Sequence, residues 1–436
     1  MKKKVLTVLL AGAMAASMAA GATVVSAADD DNTLTIWAWD QNFNIKSMQI
    51  AADQYAADHE GFSVDIIETS SDDCQTKLTT AANAGDYSTL PDIVLMQDNS
   101  YQKFLKAYPD AFTDLKDMNV NWDDFGALKQ SYSMVDDTHY GVPFDNGAVI
   151  ACYRTDILEE AGYTLDDLTD ITWSKFEEYC KKLTVDADGD GKTDQYALAS
   201  FSKYYLPMCA ANNNATFVSR DKDGSYQNAT GSKEFLEAMN WGMSLMDKGY
   251  IMPKPDGAAW DWYKAAFRDG EVAMQTAEVY EISAFASMED DWGFVMFPYN
   301  EKNKGATNKT TPNDNIVVMP SCFSAEEAEK IAFAYDLYTE ATPGYDLDDA
   351  WKQTYYDQFR DDRAVDETLT MMHEQEHIQT SYLPLINDLD YGDFCYAVYA
   401  GATTPAKKIE AISSKWDSKI SDMNKKYANF AASHSK

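Results

Sequence analysis

In the first hundred residues three short apolar runs, Leu34–Ile36, Gly61–Glu68 and Pro91–Met96, alternate with two stretches of helical periodicity. Ile45, Met48, Ala52 and Tyr55 recur at steps of three and four, which draws one apolar helix face, and Asp73–Ala84 forms the second helical stretch. A strand–helix–strand–helix–strand order calls for parallel pairing, because each helix carries the chain back before the next strand begins. Ligands of such sheets lie beyond the carboxyl ends of the strands. Those ends carry "TIWAWDQNFN" (Thr35–Asn44) and "QDNS" (Gln97–Ser100). Rings interleaved with Asp, Gln and Asn make a poor core. They suit a cleft wall facing a ligand with apolar faces and polar edges. Alternation sets Trp37 and Trp39 on one face of the strand end.

The chain has 436 residues, too many for one ordinary core, so two lobes are expected. It begins with Lys2, Lys3 and Lys4, an apolar stretch from Val5 and small residues before Asp29, the pattern of a cleaved secretory signal over residues 1–28. No cysteine near that point offers a lipid anchor, so the exported protein is expected in the periplasm or on the outer face of the cell membrane. Formal charge is −35, which repels phosphate backbones and argues against nucleic acid as a partner. Six scattered cysteines without a C-x-x-C permit disulfides but equally fit buried thiols.

Further along, Val142–Phe144 and Val149–Tyr153 read as strands around a break at Asp145–Gly147, and "TWSKFEEYCKKL" reads as an amphipathic helix introduced by Thr172. "FRDGEVAMQTAEVYEISAF" gives a strand, a turn and a helix; "DDWGFVMFPYN" is a strand ending at a proline; "SAEEAEKIAFAYDLYTE" is a Ser-capped helix. No repeat or low-complexity linker appears, so crossings between lobes fall on short segments such as Phe144–Asn146 and Phe297–Asn300.

Laid in order, "AGDYSTLPDIVLM", "YGVPFDNGAVIACYRTDIL", "TWSKFEEYCKKLT", "FRDGEVAMQTAEVY" and "WGFVMFPYN" resemble the extracellular solute-binding proteins of bacterial ABC importers, in the sugar-binding (family 1) branch that includes the maltose-binding proteins. The resemblance covers nearly the whole mature chain. It implies an α/β, two-lobed periplasmic-binding-protein-like fold of type II. Each lobe is then a mostly parallel sheet flanked by helices, with a hinge and a mainly helical C-terminus. Lobe 1 would comprise 29–144 and 299–342, lobe 2 residues 145–298 and 343–436. The resemblance maps binding positions to Trp37, Trp39, Asp40, Phe43 and Asn44, to Gln97 and Asp98, to Asp145, and to Tyr280. A C-terminal aromatic position falls near Tyr391 and Phe394, and Met96 stands where a relative carries tryptophan. Tyr204, Trp260 and Trp262 are further ring candidates at the rim. The partners implied are an oligosaccharide and the transmembrane subunits of an ABC permease, with the binding protein a monomer that needs no cofactor.

Two local motifs stand outside that scheme. "VDADGDGKTDQYAL" places Asp186, Asp188 and Asp190 at loop positions one, three and five, Lys192 with its carbonyl at seven and Asp194 at nine. Ala197 replaces the bidentate Glu of a full EF-hand loop, so a short loop for a structural Ca²⁺ is expected. "HEQEH" matches H-E-x-x-H; on a helix His373 and His377 would share a face, with Glu374 as the base of a zinc peptidase. Five histidines in all leave no third histidine ligand at the expected spacing. No phosphate loop and no G-x-S-x-G is present, so the chain reads as a non-enzyme. Within binders, Asp residues and rings also suit a polyamine.

Overall fold

The computed structural model of the protein describes residues 33–39, 41, 44–58, 60–61, 63–115, 134–135, 138–143, 149–278, 285, 288–311, 315–318, 374–383, 386 and 389–434. The signal segment, the helix expected over Ser324–Glu340 and the break at Asp145–Gly147 lie outside those residues.

The strands in chain order are β1 (Thr33–Ala38), β2 (Ser63–Glu68), β3 (Ile93–Gln97), β4 (Met134–Val135), β5 (Thr138–His139), β6 (Gly141–Pro143), β7 (Val149–Arg154), β8 (Tyr196–Ala199), β9 (Val218–Arg220), β10 (Tyr226–Asn228), β11 (Val272–Glu278), β12 (Trp292–Val295) and β13 (Asn315–Val318). The helices are α1 (Asn44–Asp58), α2 (Ser71–Ala84), α3 (Asp98–Ala107), α4 (Thr155–Glu160), α5 (Trp173–Leu183), α6 (Ser202–Ala211), α7 (Lys233–Asp247), α8 (Trp262–Arg268), α9 (Tyr391–Tyr399) and α10 (Pro405–His434).

Two principal sheets result. The first has the order β2-β1-β3-β13-β6 and the second β12-β7-β11-β8. In the first, β1 pairs in parallel with β2 from Thr33↔Ser63 to Ala38↔Glu68 and with β3 at Ile36↔Ile93. This is the pairing that the helical crossovers α1 and α2 require. Mostly parallel sheets were expected, and parallel pairing holds for β2-β1-β3 and for β8-β11; the remaining pairs are antiparallel. β13 enters the first sheet from a distant part of the chain, with no helical crossover from β3 to set its direction. β7 and β12 likewise run against their neighbours, Met274 facing Tyr153 and Gly293 facing Tyr153 from the other side.

Local chemistry fixes the helix ends. The Ser70 hydroxyl accepts the Asp73 N–H at 3.1 Å, Asp72 and Asp73 complement the positive end of α2, and Gly85 closes it at φ 63°, where a side chain would be strained. Thr172 caps α5 and Ser232 caps α7 in the same way. On α5 the spacing of Trp173, Phe176, Tyr179, Cys180 and Leu183 buries one face, and the Trp173 ring stacks on Trp241 of α7 at 4.3 Å.

The second half holds the larger core, into which α9 and α10 send Phe394, Cys395, Val398, Trp416 and Ile420. Cys74, Cys180, Cys209 and Cys395 are free and buried, and Cys152 is buried as well. Phe297–Asn300, expected as a crossing, is instead pinned within the second half. Pro298 O accepts the Trp173 indole N–H at 3.1 Å, Tyr299 N donates to Ile171 O, and Asn300 N donates to Asn212 O. The chain joins the first sheet only at Asn315.

Candidate functional site

Strand β8 ends at Ala199, and the turn that follows is held from three sides. The Ser200 hydroxyl donates to Phe201 O at 3.2 Å and shares a short hydrogen bond with the Thr276 hydroxyl of β11. The Ser200 carbonyl accepts the Tyr399 hydroxyl at 3.1 Å. Burial pushes the Tyr399 phenol up, so it stays a donor. This turn presents Phe201, and four rings surround it. Tyr204 lies 5.1 Å away at 82°, Trp260 5.7 Å at 62°, Tyr396 6.0 Å at 64° and Tyr263 6.5 Å at 14°. Trp260 and Tyr396 are 49% and 48% exposed, so the wall is open to solvent at both ends.

Ammonium groups stand against these rings. Lys264 Nζ is 5.2 Å from the Trp260 centroid, and Lys203 Nζ is 5.5 and 5.6 Å from Tyr391 and Tyr396. Across in the first sheet, Lys77 Nζ lies 4.4 Å over Trp37. Such contacts are attractive through the ring quadrupole.

Among the described residues, three buried side chains carry polar atoms without partners. The atoms are Asn44 Oδ1, Ser202 Oγ and both amide atoms of Gln275. Asn44 opens α1 just after β1, Ser202 opens α6 just after β8, and Gln275 is paired with Ala199, the last residue of β8. Each unsatisfied buried group costs about 1–3 kcal/mol. Ser202, next to Phe201, sets one such atom beside the ring wall.

Of the residues expected from sequence, Tyr204 and Trp260 meet around Phe201. Trp37, Trp39, Phe201, Tyr204 and Trp262 all lie partly buried against one apolar cluster. That cluster draws Val94 and Met96 from the first sheet and Cys152, Ala199 and Phe294 from the second. Gln97 is exposed at the end of β3, whereas Asn44 is only 3% exposed. Asp40, Phe43, Asp145 and Tyr280, and the side chain of Asp98, lie outside the described residues. At the C-terminal aromatic position expected near Tyr391 and Phe394, Tyr391 is half-buried and Phe394 fully buried, and the exposed ring on α9 is Tyr396. Sequence reasoning missed Phe201, Tyr396 and Lys203. A cavity of about 190 Å³ between α2, α3 and α10, lined by Lys103, Phe104, Tyr108 and Lys426, touches none of these rings.

In the acidic loop, carboxylate oxygens of Asp186, Asp188 and Asp194 lie within 4.8 Å of one another. Asp186 accepts the Gly189 and Gly191 N–H groups at 2.8 and 2.9 Å, and both glycines have positive φ. Asp190 is turned away, paired with Lys192 Nζ at 2.8 Å, and this hydrogen bond lowers its pKa.

The H-E-x-x-H stretch does not form the expected α-helix. Gln375–His377 is a single 3₁₀ turn, and the chain leaving it bridges to Thr310: Thr310 N donates to His377 O, and Thr310 O accepts Gln379 N. His377 Nδ1 is 2.7 Å from Asn308 O, and its Nε2 faces Glu374 and Glu376 at 3.5 and 3.9 Å. His373 lies outside the described residues.

The family model of the bacterial extracellular solute-binding proteins matches residues 51–342. A lactose-binding protein of Rhizobium radiobacter is 28% identical over 344 residues, covering 76% of each chain. Solved structures similar in fold include UgpB of Mycobacterium tuberculosis in complex with glycerophosphocholine (TM-score 0.69, 18% identity, 89% of this chain and 98% of that one). The sugar-binding protein MalE of Xanthomonas citri is a second (TM-score 0.68, 16% identity, 89% and 98%). The two-sheet α/β architecture is thus the type II binding-protein fold, and the chain belongs to the bacterial extracellular solute-binding proteins.

Proposed function

We propose that this protein captures an oligosaccharide in the cleft edged by the carboxyl ends of β1, β3 and β8 and delivers it to an ABC permease. The observation that carries this reading is the ring wall around Phe201, open at Trp260 and Tyr396, set beside buried polar atoms that lack partners. Sugar rings offer apolar C–H faces to such a wall and hydroxyls to such atoms. The relatives that bind lactose or maltotetraose support the same class. Delivery would follow from closure of the halves on ligand, which favours the liganded closed state. Binding of this kind needs no covalent step, so the saccharide leaves unaltered and no catalytic residue is assigned.

A polyamine is disfavoured by the ammonium groups of Lys77, Lys203 and Lys264, which already stand against the candidate rings. The family is extracellular, and the residues 1–28 pattern supports export. No described helix is long and apolar enough to cross a membrane. For the acidic loop we propose a structural Ca²⁺ held by Asp186, Asp188 and Asp194.

The test is a thermal-shift screen against an oligosaccharide panel, followed by chromatography of the recovered sugar. A ligand that binds only the folded form raises the melting temperature. Binding with intact recovery supports the reading; no shift with any saccharide, or recovery of cleaved sugar, overturns it.

A further inference from the structure

The turn after β8 is chemically one-sided. Helix α6 starts there with Phe201 as its N-cap, a residue whose side chain makes no capping bond. The Ser202 and Lys203 N–H groups find no acceptor among the described residues. A helix N-terminus so placed carries partial positive charge and free donors. Ser202, the first residue of that turn, is 3% exposed, and its hydroxyl has no partner.

Lys203 adds a full charge. Its ammonium makes no hydrogen bond or ion pair among the described residues, in a chain with 71 acids to 36 bases. The ammonium end passes close to Gly392, at the start of α9: a Cβ added there would stand 2.8 Å from Lys203 Cε and 3.2 Å from Nζ, so a larger residue would push the lysine end aside. The nearby acids are occupied: Asp390 caps α9 through the Asp393 N–H at 2.9 Å, and Asp393 pairs with Lys408. The ammonium lies 5.6 Å from the Tyr396 ring, and Tyr396 is one exposed end of the sugar wall.

A neutral sugar hydroxyl donates as well as accepts, but three of the four groups here, two backbone N–H groups and an ammonium, can only donate; the Ser202 hydroxyl alone can also accept. A carboxylate only accepts, and matches two backbone N–H groups, a hydroxyl and an ammonium. We infer that the captured saccharide carries a uronic-acid carboxylate, which docks at the first turn of α6 between Ser202 and Lys203 while its ring lies on the Phe201–Tyr396 wall. This rests on the proposed saccharide binding and names the class of sugar.

The experiment is isothermal titration of the full mature chain with trigalacturonate and with trimannuronate, each against its carboxyl-reduced neutral counterpart. At least one uronate should bind roughly tenfold or more tightly than its neutral form, and only the uronate should weaken as salt rises. Lys203→Met keeps the apolar stem and should erase that preference, bringing the ratio of uronate to neutral affinity to within about threefold of one. Gly392→Ala, which retains the charge but displaces it, should also reduce the preference. Neutral trimers binding as tightly as uronates, or a preference untouched by Lys203→Met, overturns the inference while the saccharide reading stands. Failure of every saccharide in the panel sinks both. Should Lys203→Met not fold, the salt dependence of the wild type decides alone: a uronate affinity flat in salt rejects the assignment.

Discussion

The rings of Phe201 and Tyr396 meet nearly edge to face, with centroids 6.0 Å apart and planes inclined at 64°. One stands on the turn after β8 and the other on α9, so the contact ties the central sheet of the second half to the C-terminal helices at the rim of the cleft. Phe201 sits mostly among other rings, whereas Tyr396 is 48% exposed. Binding and stability therefore separate at Tyr396.

Tyr396→Ala should weaken the best-binding saccharide of the panel roughly tenfold, as removal of a ring from a stacking wall commonly does. The melting temperature should move by no more than about 3 °C, because half of the side chain already faces water. Calorimetry and thermal unfolding on the same preparation check both halves. An unchanged affinity would remove Tyr396 from the wall.

Gln275 lies fully buried in β11 with neither amide atom partnered. Methionine has nearly its shape without the desolvation cost. Gln275→Met should raise the urea midpoint of the free protein, by the equivalent of about 1 kcal/mol, and shrink the melting-temperature gain on saccharide. A variant that is both less stable and equally responsive to ligand would show that the amide is satisfied inside the protein.

Much of the frame was legible in the residues. The alternation of β1, α1, β2, α2 and β3 came through because each run shows its own period, and the cap at Thr172 follows from residue chemistry alone; the Ser70 cap, which starts α2 two residues before Asp73, was not read. The direction of β7, β12 and β13 was not legible, since no period records which way a strand enters a sheet assembled from distant segments. At the site, Trp260 and Tyr204 stood out as rings near a strand end. Phe201 did not, because a single phenylalanine between Ser200 and Ser202 shows no period of its own. Tyr396 carried a usable signal: it falls off the apolar stripe of Phe394, Cys395 and Val398, and an aromatic out of phase with the buried face of its helix is exposed. Lys203 gave none. Its meaning depends on Gly392, far along the chain, and on the nearby acids Asp390 and Asp393 being engaged elsewhere.

Stability should show an acid limb set by His139. Burial pushes its imidazolium pKa from 6.5 down to about 4. Between those values the unfolded chain holds more protons at this residue than the folded one, so stability falls as pH drops from about 6.5 towards 4 and is fully present above 6.5. Carboxylates held low by hydrogen bonds, Asp86 by Ser88 and Asp167 by Thr164, lose their contribution only below about 3.8, a separate window. Urea midpoints measured from pH 7.5 to 4 should decline in the wild type and flatten in His139→Gln. An equal decline in both would assign the limb to other groups.

The acidic loop separates two readings of its own motif. Loop spacing offers Asp186, Asp188, Asp190, the Lys192 carbonyl and Asp194 as ligands; the carboxylates that converge are those of Asp186, Asp188 and Asp194, while Asp190 pairs with Lys192. Three carboxylates without the bidentate Glu suit weak binding, with a Kd on the order of 0.1 mM. Calcium at a hundredfold excess over that constant should stabilise the protein by about 2.7 kcal/mol, read as a rise in the thermal midpoint. Asp188→Asn removes a charged ligand and should abolish the calorimetric signal. Asp190→Asn should leave affinity within about threefold, because its carboxylate does not point at the other three and its loss merely frees Lys192. If Asp190→Asn costs as much as Asp188→Asn, the ion recruits Asp190 away from Lys192 and the loop rearranges on binding; a flat titration of the wild type rules out calcium altogether.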